Sequence, residues 1–220
     1  MPLPAIEITT GPAPRSSILI LHGLGADGND FAPIAQELDL SAVGDVRFVL
    51  PHAPTRPVTI NGGYVMRAWY DILGADLARR EDAAGLRASM DEVRALIRQE
   101  NERGIPSERI VLAGFSQGCA MALLTGLRHD ERLAGLVGLS GYLPLAGTTA
   151  AERHAANADV PIFLAHGRHD GVVPIHRATE SRDLLVSLGY PVEWHEYTME
   201  HSVCIEEIGA LNEFLLKVLG

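Results

Sequence analysis

Residues Gly114-Phe115-Ser116-Gln117-Gly118 constrain this chain more than any other stretch. They follow the apolar run Arg109-Ile110-Val111-Leu112-Ala113 and lead into Cys119-Ala120-Met121-Ala122-Leu123-Leu124-Thr125. Strand, Gly-x-Ser-x-Gly and helix, in that order, is the context of a nucleophile elbow. The serine occupies a tight strand-to-helix turn in a sparsely populated backbone conformation, which costs on the order of 1–3 kcal/mol. Glycines two residues to either side leave only hydrogen where the strand and helix backbones pass closest. The hydroxyl then stands clear of the sheet, with the first free N–H groups of the helix behind it. The motif alone is weak in a chain with 22 glycines. Its flanks give it weight.

At 220 residues the chain suits one α/β domain, residues 1–220, with a substantial core. Apolar residues make up 47% and charged residues 21%, which is too apolar for a disordered chain. The formal charge is −10 with no Lys/Arg cluster, which argues against nucleic acid as a partner. Met1-Pro-Leu-Pro-Ala-Ile-Glu-Ile has no basic segment ahead of an apolar core, so no signal peptide is read. No uninterrupted apolar stretch is long enough for stable membrane insertion. Cys119 and Cys204 make no disulfide framework. A cytoplasmic location is the default expectation.

Along the chain, residues 4–9 alternate weakly, as an edge strand would. Ser17–Leu21 reads as a buried strand ending in His22-Gly23-Leu24-Gly25-Ala26-Asp27-Gly28, with a helix from about Asp30 to Leu38. Val46–Leu50 is a strand stopped by Pro51, and the segment from Pro51 to about Ala83 reads as a long irregular loop. Loops of that length in a compact domain are usually functional. Leu86, Met90, Val93 and Ile97 fall on one face of a helix over Gly85–Arg103. Further strands are expected at Ala134–Ser140, Pro161–Ala165 and Val192–Tyr197. Helices are expected at 176–188 and Val203–Val218, with Thr149 and Glu152 as a capping box opening a short one. Alternating strands and helices predict a mainly parallel sheet covered on both faces, with no cap domain.

A serine hydroxyl needs a base, and the base needs a third group to fix its tautomer. In an open parallel sheet these groups lie just past the carboxyl ends of strands. Of nine histidines, His201 alone lies in a late loop between the last strand and the last helix. His195 falls inside that strand, while His129, His154 and His176 read as surface residues on or near helices. His22 and His166 read as braces for loops. The acid expected after a later strand is Asp170, in His166-Gly167-Arg168-His169-Asp170-Gly171-Val172-Val173-Pro174. The order Ser116, Asp170, His201 is that of an α/β-hydrolase. The oxyanion needs N–H donors, each worth about 2.7–4 kcal/mol of transition-state stabilisation. Gln117 N–H is one candidate, and Leu24 N–H in the glycine-rich loop is the other. A competing reading takes Gly23-x-Gly25-x-x-Gly28 as a dinucleotide fingerprint. It lacks the acid that should end the next strand, Leu50-Pro51-His52. A non-catalytic binding module on the same scaffold is a further alternative.

With these residues assembled, the sequence resembles the phospholipase/carboxylesterase family of α/β-hydrolases, which includes bacterial carboxylesterases and acyl-protein thioesterases. The resemblance covers nearly the whole chain. It is carried by Leu21-His22-Gly23-Leu24-Gly25, Leu50-Pro51-His52-Ala53-Pro54, Arg67-Ala68-Trp69-Tyr70-Asp71-Ile72, the Ser116 motif, His166-Gly167 through Asp170 to Val173-Pro174, and His201. It implies a serine esterase without metal or organic cofactor, acting on short- to medium-chain carboxylic esters, or alternatively on acylated proteins or lysophospholipids. It also implies Ser116, Asp170 and His201 as the triad and Leu24 and Gln117 as oxyanion donors. By the same resemblance, Leu73 and Val172 are candidate walls of an acyl groove. The implied partner is a small-molecule ester, and a homodimer is compatible with the sequence. Two positions depart from the common pattern: Ala26 intervenes before Asp27-Gly28, and Glu200 stands where many members have glycine before the histidine.

Overall fold

The computed structural model describes residues 3–74 and 81–220. Its strands are β1 (Ala5–Thr9), β2 (Ser16–Leu21), β3 (Val46–Pro51), β4 (Thr55–Val58), β5 (Tyr64–Arg67), β6 (Ile110–Phe115), β7 (Gly135–Leu139), β8 (Ile162–Gly167) and β9 (Val192–Tyr197). Its α-helices are α1 (Ala32–Glu37), α2 (Ala83–Glu102), α3 (Gln117–Leu127), α4 (Ala146–Glu152), α5 (Ile175–Ser187) and α6 (Ile205–Leu219). Seven strands form one sheet in the order β1-β3-β2-β6-β7-β8-β9. All neighbours run parallel except β1, which lies antiparallel along β3. Among the described residues, no helix is long and apolar enough to cross a membrane.

The continuous apolar runs are explained by burial on both faces. Successive side chains of a strand point to opposite faces. Ile18 and Ile20 of β2, with Val111 and Ala113 of β6, therefore enter one core layer with residues of α1 and α6. Leu19 and Leu21, with Ile110 and Leu112, enter the other layer with α2 and α3. Helix α2 buries Leu86, Met90, Val93 and Ile97, as its periodicity requires, and Asp82 caps it by accepting from Gly85 N–H at 2.9 Å.

Strand β2 hands the chain to β3 on one side and has β6 on the other, so the sheet order reverses at β2 and β6. Ligand crevices form past the carboxyl ends of strands at such a switch point. Leu21 pairs with Gly114 there, which sets the His22–Gly25 loop beside the Ser116 turn.

Three expectations change. The segment after Pro51 is not wholly irregular: β4 and β5 form an antiparallel hairpin, turned at Gly62 and Gly63, whose φ values of +66° and +80° favour glycine. Residues 75–80 of that segment lie outside the described residues. Thr149 does not cap a helix; it sits inside α4, which begins after Leu145 and ends at Glu152. The Glu152 carboxylate is taken by Arg128 Nε at 2.8 Å and by Thr148 Oγ1 at 2.9 Å instead. His129 is buried rather than superficial, and burial lowers its pKa.

The elbow packing gives a paired prediction. A Cβ on Gly118 would overlap the backbone carbonyl of Leu21, whereas one on Gly147, exposed in α4, would meet nothing. Gly118→Ala should lower stability by on the order of 3 kcal/mol, because backbone cannot step aside as a side chain can. Gly147→Ala should be neutral or stabilising by about 0.5–1 kcal/mol. Urea melts of the two variants check both signs.

Candidate active site

Ser116 links β6 to α3 with φ 56° and ψ −116°. This is a rare conformation for a residue with a side chain, and surrounding packing must hold it. Gly114 allows it, since a Cβ there would overlap Gly118 O. Ser116 N–H donates to Leu139 O at 2.9 Å, tying the turn to β7. Its hydroxyl makes no helix-capping bond and faces a cavity of about 400 Å³.

His201 and Asp170 meet as the sequence suggested. His201 Nδ1 lies 2.7 Å from Asp170 Oδ2, and the Asp170 side chain is fully buried. A carboxylate only accepts, so Nδ1 carries the proton and Nε2 is left bare. Asp170 Oδ1 accepts from the N–H groups of Val172 and Val173, both at 2.8 Å. The Phe115 ring packs 4.7 Å from the His201 ring, centroid to centroid. Ser116 and His201 line the same cavity, and no hydrogen bond joins them in this conformation. Such bonds are often long in ligand-free sites and tighten on substrate binding. Glu200, beside His201, is exposed to solvent.

The glycine-rich loop is braced from below. His22 Nδ1 donates to Gly23 O at 2.7 Å, and its Nε2 accepts from Ala53 N–H at 3.0 Å. Burial lowers the His22 pKa, keeping it in the neutral form this pairing needs. Trp69 Nε1 donates to His22 O at 2.9 Å from a fully buried position. Leu24 N–H donates to no acceptor among the described residues, and Leu24 lines the cavity. Gln117 is the first residue of α3, where an amide has no partner within the helix. The Gln117 side chain is committed elsewhere: Oε1 accepts from Trp69 N–H at 3.0 Å and Nε2 donates to Tyr70 O at 2.8 Å.

The glycine loop does not suit a dinucleotide. Asp27 accepts from Asn29 N–H at 2.8 Å, and Asp30 accepts from Asp27 N–H at 2.8 Å. Two carboxylates thus occupy the first turn, where a pyrophosphate needs free donors.

Of the two expected groove walls, Val172 lines the cavity and is 65% exposed, while partly buried Leu73 is not part of the lining. The apolar wall comes from Phe31, Ile34, Phe115 and Val203 instead. None of these four was among the expected wall residues; Phe31 and Ile34 fall within the expected helix from about Asp30 to Leu38, and Phe115 is adjacent to Ser116.

A model of the phospholipase/carboxylesterase family matches residues 3–219 of the chain. The chain is 42% identical over 229 aligned positions to acyl-protein thioesterase 1 of Mycosarcoma maydis, covering 97% of this chain and 95% of that protein. It is 37% identical over 219 positions to acyl-protein thioesterase 1 of Yarrowia lipolytica, covering 97% and 96%. The crystal structure of Arabidopsis thaliana SOBER1 superposes with a TM-score of 0.88 at 29% identity, covering 94% of this chain and all of that one (100%).

Proposed function

The chain belongs to the phospholipase/carboxylesterase family of α/β-hydrolases, and from that premise we propose that it cleaves carboxylic esters through an acyl-enzyme on Ser116. The carrying observation is the 2.7 Å Asp170–His201 hydrogen bond, which leaves His201 Nε2 bare at a cavity shared with Ser116. Ser116 Oγ attacks the carbonyl carbon as Nε2 takes its proton. Asp170 holds the imidazole in the required tautomer and offsets the charge it gains. The developing oxyanion is received by the N–H groups of Leu24 and Gln117. Collapse of the intermediate breaks the bond to the leaving oxygen or sulfur, which departs with the proton from Nε2. Water then repeats the sequence and releases the acid. The reaction needs no metal or organic cofactor at any of these steps.

On the first reading the substrates are esters of short- to medium-chain acids. A second reading, an acyl-protein thioesterase, is favoured by the names of the relatives at 37–42% identity. A series of p-nitrophenyl esters of rising chain length, with an S-palmitoylated peptide and its oxyester counterpart alongside, separates the two. The first reading expects rates that peak at short or medium chains. Preferential turnover of the S-palmitoyl peptide supports the second, and no turnover of any ester contradicts both.

A further inference from the structure

We propose that His166 is a positioning residue for the Asp170–His201 pair, a role that rests on the triad reading above. His166 is the penultimate residue of β8, with its side chain fully buried. Its Nε2 lies 2.8 Å from Val173 O and 3.3 Å from Asp170 Oδ2. A carbonyl only accepts, so Nε2 bears the proton and donates it to Val173 O, with Asp170 Oδ2 lying close alongside. Nδ1 is buried with no partner, so the ring has nothing to stabilise a second proton. Burial lowers its pKa accordingly.

The geometry divides the work on Asp170. The amides of Val172 and Val173 fix Oδ1, while Oδ2 is held by His201 at 2.7 Å with the His166 N–H dipole 3.3 Å away. By also holding Val173 O, His166 locks the turn that supplies those amides. It does so at the place where the His201 loop rests on β8, since a Cβ on Gly167 would overlap Met199 O and Glu200 O. The other charged group facing His166 is Glu196 on β9, itself paired with Arg168 at 3.2 Å. His166 thus positions the carboxylate through the turn that holds it, and its N–H dipole beside Oδ2 tempers the charge presented to His201.

His166→Met keeps the reach of the side chain and removes the donor, whereas His166→Gln places an N–H at the equivalent atom. The Met variant should lose about 10-fold in kcat with KM within about twofold, the scale of one buried hydrogen bond left unmade. The acid limb of its kcat/KM profile should move to higher pH, because Asp170 without the neighbouring N–H dipole and with its supporting turn loosened holds the proton on His201 more tightly. The Gln variant should recover most of kcat and return the limb to its original position. A Met variant with native melting temperature, kcat and acid limb overturns the proposal. So do Met and Gln variants equally slow with an unmoved limb, which is the signature of packing alone. Should the Met variant not fold, ¹⁵N spectra of the unaltered protein decide: His166 should stay neutral with its proton on Nε2, and an Nδ1–H tautomer or a charged ring overturns it. Failure of the unaltered protein to label with a fluorophosphonate would instead remove the triad reading.

Discussion

Ser116→Ala is expected to abolish ester hydrolysis while leaving the fold intact. Residues that act as one nucleophilic unit each cost most of the catalysis when removed, and losses in kcat on the order of 10⁴–10⁶ are usual for the serine. The fold should survive because the Ser116 hydroxyl makes no structural hydrogen bond; the turn is held by its backbone N–H on Leu139 O. Alanine tolerates the φ of 56° no worse than serine does. Urea and thermal melts should therefore match the unaltered protein within about 1 kcal/mol. A variant that keeps more than about a hundredth of the activity would assign the chemistry to another group.

The largest expected change in stability concerns Glu207, far from the chemistry in sequence role though only six residues beyond His201. Glu207 lies in the first turn of α6, fully buried, with neither carboxyl oxygen hydrogen-bonded. Burial pushes its pKa from 4.5 up to about 8, against a smaller lowering influence of the Cys204 amide. Nearby Tyr197 is likewise pushed up to about 12, first by burial and then by Glu207. A raised carboxyl pKa means the folded state holds the proton more tightly than the unfolded chain. The stability this confers is complete below pH 4.5 and is lost as pH rises through about 8. Glu207→Gln stays neutral throughout and escapes that loss. Relative to the unaltered protein it should gain less than about 1 kcal/mol near pH 5 and about 4 kcal/mol near pH 8. The difference corresponds to on the order of 10 °C in melting temperature. The amide brings its own pH-independent cost, so the slope with pH is the quantity to read. Parallel pH dependences of the two proteins would show that Glu207 is ionised freely in the folded state.

The placement of Ser116, Asp170 and His201 was more legible in the sequence than the cavity. Each follows a strand end in an order that topology restricts, and Asp170 and His201 come together across β8 and β9. His22 and His166 were readable as loop braces for the same reason. The groove was not readable, because its lining joins Phe31 and Ile34 to Phe115 and Val203, residues far apart in the chain. Phe31 and Ile34 carry the apolar spacing of any core-facing helix. The hairpin after Pro51 was hidden by its short strands, although Gly62-Gly63 was a turn signal. His129 stands in the polar run Arg128-His129-Asp130, which suggests surface. It is buried because Arg128 is drawn inward to Glu152 and Asn157 Nδ2 takes His129 O at 2.9 Å.

On the proposed mechanism, Ser116 is a nucleophile made reactive by His201. Peptide mass spectrometry after brief exposure to a fluorophosphonate reads this directly. A single adduct on Ser116 is expected in the unaltered protein, and its loss is expected in His201→Ala with the fold retained. An adduct on a different residue, or undiminished labelling of Ser116 without His201, would contradict it.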